Sequence, residues 1–190
     1  MALPAEEIRY TFADALTWGE NERIEIIDGK AVMMAPPLRV HQSILSALFL
    51  QIGSYLKGKT CKVYPAPFAV RLFEESEARP EDVDTMVEPD ITVVCDPDKL
   101  DKYGCKGAPD MVIEILSPST RRQDLAVKYR LYQRAGVREY WIVDPDTKVV
   151  QVFRLEDGLY NAPDVFTSGG LVPVGIWEDF SIDLSQVFTE

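Results

Sequence analysis

The chain has 190 residues, 46% of them apolar and 27% charged, an ordinary globular composition that excludes a largely disordered protein. Its 20 basic residues against 31 acidic ones give a net charge of −11, which excludes a basic surface spread over the whole molecule for coating nucleic acid. No apolar run approaches the roughly 18 residues of a membrane span. The start, Met1–Tyr10, has acids where a leader peptide has bases, so one cytoplasmic domain over residues 1–190 is expected, with no membrane partner.

The cysteines narrow the chemistry. Cys61, Cys95 and Cys105 stand apart, with no C-x-x-C pair for a zinc ribbon or a redox motif. Cys95 sits in an apolar run and is expected as a buried thiol. His41 is the only histidine, which removes H-E-x-x-H zinc proteases, H-N-H nucleases and multi-histidine metal sites.

In chain order, a short helix is expected over 13–20. Arg23–Asp28, Gly29 and Lys30–Ala35 read as a hairpin with Asp28-Gly29 in the turn. From His41 to Leu56, apolar residues recur at helical spacing, and Gly58 follows as a stop. Cys61–Leu72 reads as a strand interrupted at Pro65 and Pro67. The acidic stretch 74–88 reads as a solvated, mobile loop. Asp90–Cys95 and Met111–Leu116 read as strands. Ser117–Thr120 then caps a helix over Arg121–Ala135, stopped by Gly136. Glu139–Asp144 and Lys148–Arg154 form a second hairpin around Pro145-Asp146, and the Gly- and Pro-punctuated remainder wraps the sheet. This order predicts an α/β (α+β) fold, a mixed sheet with helices on both faces and an N-terminal β-hairpin.

Gly53–Thr60 matches G-x-x-x-x-G-K-[ST]. A phosphate loop follows a strand and opens a helix, so that amides face the phosphates. Here the segment ends a helix and precedes a strand, so it presents carbonyls. The lysines complement the helix dipole instead.

Three charged residues fall where hydrocarbon belongs. Met111–Leu116 is apolar except for Glu114, so Glu114 lies on a strand buried on both faces. A lone buried carboxylate is costly without a cation or a hydrogen-bond shell. Asp90 follows Pro89 and opens an equally apolar strand; taken alone, it is a strand-start aspartate. On a wheel of about 100° per residue, Asp124 and Lys128 fall in the middle of the apolar face of the 121–135 helix, flanked by Val127 and Leu131 on one side and by Leu125, Tyr129 and Tyr132 on the other. An exposed i,i+4 pair contributes only about 0.3–0.5 kcal/mol, while desolvation costs several kcal/mol, so an inward pair needs another reason. The same helix is a basic island, with Arg121, Arg122, Lys128, Arg130, Arg134 and Arg138 against Asp124. A positive patch beside buried carboxylates suits a polyanion held over a metal.

Asp90, Glu114 in its apolar strand and an inward lysine resemble the PD-(D/E)XK, restriction-endonuclease-like superfamily. More closely, the chain resembles a bacterial family of small restriction-endonuclease-like proteins abundant in cyanobacteria. The matching stretches are Ile24–Gly29, Met33–Pro36 with His41, Pro89–Ile91, Gly107–Pro118, Asp124 with Lys128, and Gly136–Pro145. In the superfamily the lysine stands two residues after the acid, where this chain has Leu116; in the resembling family it comes from the following helix, which points to Lys128. Asp110 also follows a proline but shares the strand of Glu114. The superfamily expects the two acids on neighbouring strands, which favours Asp90.

The resemblance implies metal-dependent hydrolysis of phosphodiester bonds by an endonuclease acting on nucleic acid, with DNA as the expected form. Asp90 and Glu114 would hold Mg²⁺ or Mn²⁺, and Lys128 would attend the attacking water or the developing charge. Glu25 resembles the supporting acid of the superfamily. His41, Ser117 and Asp124 are auxiliary, Arg121 and Arg122 are candidate nucleic-acid contacts, and a homodimer would supply two cuts. The competing reading is an inactive nuclease-fold binding or regulatory module, favoured by the acidic charge and the displaced lysine.

Overall fold

The computed structural model describes residues 8–19, 22–75, 78–118, 121 and 123–189. A short α1 (Phe12–Ala15) precedes the hairpin of β1 (Ile24–Ile27) and β2 (Lys30–Met33). Asp28 and Gly29 both take positive φ, 49° and 80°, which is the primed turn that a twisted two-residue hairpin requires. Helix α2 (Arg39–Leu56) follows, then β3 (Lys62–Pro65) and β4 (Ala69–Arg71), with a cis Ala66–Pro67 bond between them. Next come β5 (Met86–Val87), β6 (Ile91–Val94), β7 (Leu100–Asp101), β8 (Gly104–Lys106) and β9 (Met111–Ile115). A π-wound turn, Gln123–Lys128, runs into α3 (Tyr129–Ala135), which Gly136 closes at φ 88°. The chain finishes with β10 (Glu139–Asp144), β11 (Val149–Glu156), β12 (Leu159–Tyr160), β13 (Asp164–Thr167), β14 (Leu171–Pro173) and β15 (Ser181–Asp183).

The main sheet runs β12-β11-β10-β9-β6-β3, with β13 also paired to β11. Strands β9 and β10 are parallel, so the chain between them must cross over the sheet, and the π-turn and α3 form that crossover. The other pairings in this sheet are antiparallel. A second sheet, β2-β1-β5-β4-β8-β7, carries the N-terminal hairpin, and β14 and β15 pair separately. This mixed α+β architecture agrees with the sequence.

Alternation along β9 divides the interior. Met111, Ile113 and Ile115 pack with Ile44, Leu48 and Ile52 of α2 and with Val172, Ile182 and Leu184 of the tail. Val112 and Leu116 face the other way, toward Leu131 and Tyr132 of α3 and toward Tyr140. The tail does wrap the sheet, on the α2 side. Gly53–Thr60 lies where α2 gives way to β3, as its reversed polarity predicted.

Several expectations need correction. Cys95 is not a thiol: it is disulfide-bonded to Cys61. The register pairs Lys62 with Val94, so the two cysteines come next to each other just beyond the ladder. Residues 74–88 are not all a solvated loop. Val83, Met86 and Val87 are buried, and β5 joins β1 to β4. Helix α1 is shorter than the expected 13–20 segment and starts one residue earlier. The 121–135 helix is π-wound over its first part, and Leu125 and Val127 are 40% and 45% exposed rather than flanking a buried face. Among the described residues, no helix is long and apolar enough to cross a membrane.

Candidate functional site

Strand register creates the site. Ile91 pairs with Ile113 across the antiparallel β6–β9 ladder, so the residue before β6, Asp90, falls beside Glu114 near the end of β9. The start of one antiparallel strand meets the finish of the next, and two acids 24 residues apart in sequence arrive at one edge of the sheet. Asp90 Oδ2 accepts the Ile115 N–H at 2.8 Å and lies 3.1 Å from His41 Nε2, which the first turn of α2 presents. Asp110, the rival Pro-Asp acid, sits at the opposite end of β9. There it accepts the Cys95 N–H at 2.7 Å and pairs with Arg138 at 3.1 Å, a structural role.

The crossover brings the cation. Lys128 Nζ donates to Glu25 Oε1 at 2.8 Å and to Glu114 Oε1 at 2.9 Å, and lies 3.7 Å from Asp124 Oδ1. Lys128, Asp124, Glu25 and Glu114 are all buried. The wheel therefore placed Asp124 and Lys128 correctly inward, although the winding there is wider than an α-helix. π-turns of this kind are frequent at functional sites. Glu25 is carried on β1 of the second sheet, and its Oε1 also accepts the Glu88 N–H at 3.0 Å. Both sheets thus contribute to one cluster.

Tyr132 completes it. Its hydroxyl donates to Glu114 Oε1 at 2.6 Å, and the Tyr140 hydroxyl reaches the Asp124 carbonyl at 3.1 Å. Burial and the nearby carboxylates hold both phenols well above their usual range, so both remain donors. Burial pushes Glu114 well above the usual carboxylate range. The Lys128 ammonium opposes that shift, while Asp124, Asp90 and Glu25 add to it. Burial works against the charge of Lys128, yet Glu114, Glu25 and Asp124 outweigh it and hold the ammonium well above its ordinary value.

A pocket of about 40 Å³ lies among these groups, lined by Arg23, His41, Asp90, Glu114, Ser117, Asp124 and Lys128, among others. Ser117 therefore joins the site. Arg121 does not line this pocket. It is half-exposed and bonded to Asp144 at 2.7 Å, where it helps hold that carboxyl below its usual range against the effect of burial. Arg122 lies outside the described residues. Sequence reasoning missed Tyr132 and Arg23. Both had a signal, because Tyr132 is four residues beyond Lys128 on the same helix face and Arg23 is two residues before Glu25, where strand alternation carried back by one residue would put it on the same side.

The donor set fits a hard divalent cation. Glu25, Glu114 and Asp124 are buried carboxylates gathered round the Lys128 ammonium, and Asp90 lines the same pocket, so the site offers the oxygen donors such a cation takes. Among the described residues, no three His, Cys, Asp or Glu side chains are placed to cage an ion alone.

Three comparisons relate the chain to known proteins. The chain is 25% identical over 145 residues to an uncharacterized protein of Synechocystis, an alignment covering 75% of this chain and 72% of that one. Its fold matches the crystal structure of "a putative nuclease belonging to DUF820" from Anabaena variabilis, with a TM-score of 0.74, 23% identity and coverage of 95% of this chain and 98% of the other. Residues 11–185 match the profile of a family described as "Putative restriction endonuclease", and the chain belongs to that family, Uma2.

Proposed function

We propose that this protein is a metal-dependent endonuclease that hydrolyses phosphodiester bonds of DNA, with Asp90 and Glu114 as ligands of Mg²⁺ or Mn²⁺ and Lys128 as the cation beside them. The observation that carries the reading is the meeting of Asp90 and Glu114 across the β6–β9 register, with Lys128 Nζ 2.9 Å from Glu114 in a buried cluster. When bound, the metal lowers the pKa of a coordinated water and offsets charge on phosphate oxygens.

The chain's own residues do the positioning. The Ile115 amide and His41 hold one oxygen of Asp90. Lys128 and Tyr132 hold one oxygen of Glu114, and Glu25 anchors Lys128 from the opposite sheet. An ammonium fixed in this way needs no reorganisation as charge builds on the phosphate. Water adds to phosphorus, one P–O ester bond breaks, and the products are a phosphate monoester and a hydroxyl. A homodimer would bring two such sites to the two strands. The reading places this work in the cytoplasm.

The test is cleavage of supercoiled plasmid with Mg²⁺ or Mn²⁺. Asp90→Asn, Glu114→Gln and Lys128→Met should each reduce the rate by about a thousandfold or more, the scale expected when preorganised charge at a reacting phosphate is lost. Cleavage that persists in EDTA, or that survives Glu114→Gln, overturns the reading. A parent protein that binds DNA without cutting it would instead be an inactive binding module.

A further inference from the structure

The cations lining the site pocket are Lys128 and Arg23. Lys128 donates to Glu25 and Glu114 and lies 3.7 Å from Asp124, so carboxylates surround it. Arg23 is different. Its Nε is buried and has no hydrogen-bond partner. Its nearest acid is Glu88, with Nη2 3.6 Å from Oε2, beyond hydrogen-bond length, and that oxygen is also buried and without a hydrogen-bond partner. A guanidinium normally meets an oxyanion with two parallel N–H bonds, and here Glu88 gives it only one long ion pair. Buried donors left in this state are rare and call for a partner.

We propose that Arg23 is the phosphate-binding residue of this site, gripping non-bridging oxygens of the nucleic-acid backbone at the pocket mouth. This rests on the nuclease reading above. The chain entering β1 makes the placement possible: Arg23 stands just before the strand and two residues ahead of Glu25, so Glu25 reaches inward to Lys128 while Arg23, partly exposed, lines the same pocket. A phosphodiester supplies the anionic, two-oxygen acceptor that Glu88 does not. The inner cluster, already crowded with acids, would otherwise repel it. Arg23 thereby separates the two cationic duties, substrate capture at the mouth and charge stabilisation inside.

The experiment is fluorescence anisotropy of a labelled short DNA duplex in Ca²⁺, which permits binding without turnover, across a range of salt. Arg23→Gln should weaken binding by about tenfold or more and lower the salt slope by about one, the signature of one lost phosphate contact. Arg23→Lys should recover part of the affinity, and Mn²⁺ affinity by calorimetry should not change. Glu88→Gln decides between phosphate capture and a structural Arg23–Glu88 tie. It should leave duplex binding unchanged or tighter under the proposal and weaken it like Arg23→Gln under the tie. If Arg23→Gln does not fold, Arg23→Lys with Glu88→Gln carries the same decision. Duplex affinity in Arg23→Gln within twofold of the parent, while the parent still cuts in Mg²⁺, overturns the Arg23 assignment alone. A parent that neither binds nor cuts overturns the nuclease reading with it.

Discussion

The two faces of β9 are built from alternate residues of one five-residue strand, yet they behave as different materials. Toward α2, Met111, Ile113 and Ile115 join a hydrophobic cluster, with Ile113 and Ile52 fully buried. Toward α3, Val112 and Leu116 bracket Glu114, which sits among Lys128, Tyr132, Glu25 and Asp124. Burial is as complete on both sides, so burial does not distinguish them. The difference is in what a mutation would cost. The α2 face gains from every methylene it hides, whereas the α3 face holds charges whose desolvation roughly offsets their mutual attraction. One face stabilises the protein by burial, and the other gains little from the charges it holds.

Exchanging the character of adjacent residues would break that contrast most severely. Ile113→Glu puts an unpaired carboxylate into the α2 core, and a loss above about 4 kcal/mol, enough to prevent folding, is expected. Glu114→Gln, one residue on, keeps the shape and two hydrogen-bonding atoms and should shift the unfolding midpoint by no more than about 1 kcal/mol while abolishing hydrolysis. Urea titration of the two proteins side by side makes the measurement. If Glu114→Gln were the one that failed to fold, the α3 face would be structural after all.

Removing the cation sharpens the contrast through pH. Lys128→Met leaves Glu25, Glu114 and Asp124 buried without their shared ammonium, and breaking a buried pair from one side costs about 3–5 kcal/mol near neutral pH. Glu114 is already raised above its ordinary value by burial, and the variant loses the group that opposes the shift. The folded state then binds more protons than the unfolded one, so stability must rise as pH falls through the range between the ordinary carboxylate value and the raised one, and decline again as pH climbs. Urea midpoints for parent and variant at acid and neutral pH read this directly. A variant deficit that does not shrink in acid would mean that Lys128 is not compensating those carboxylates.

Much of this contrast was legible from residue order. Glu114 stands out because every neighbour in its strand is apolar, and Lys128 stands out because its helix face is. Both are local signals, and so is the Asp28-Gly29 turn. What was not legible depends on long-range geometry or on backbone winding. The Cys61–Cys95 bridge closes over a separation of 34 residues and follows only from the β3–β6 register. The π-turn over Gln123–Lys128 changes the hydrogen-bond step without changing any residue type, so an ideal wheel put Leu125 and Val127 beside the core when they are exposed. The second sheet escaped because Met86–Val87 and Leu100–Asp101 are too short for alternation to show.

Tyr132 tests the contrast at its finest grain, because it belongs to the apolar contact network of the α3 face and to the charged cluster at once. Its ring packs edge-on against Tyr140 at 5.0 Å, while its hydroxyl donates to Glu114. Tyr132→Phe removes only the oxygen. If the ring supplies the packing and the hydroxyl only steadies a carboxylate, stability should fall by about 1 kcal/mol, the cost of one buried hydrogen bond. Glu114 should then be harder to ionise, because a donor to its charged form is gone. Calorimetric Mn²⁺ affinity should therefore drop by several-fold, more at acid than at neutral pH, since protons and metal compete for the same carboxylate. A Tyr132→Phe protein with unchanged Mn²⁺ affinity at both pH values would make the hydroxyl a packing detail, and Lys128 alone would then position Glu114.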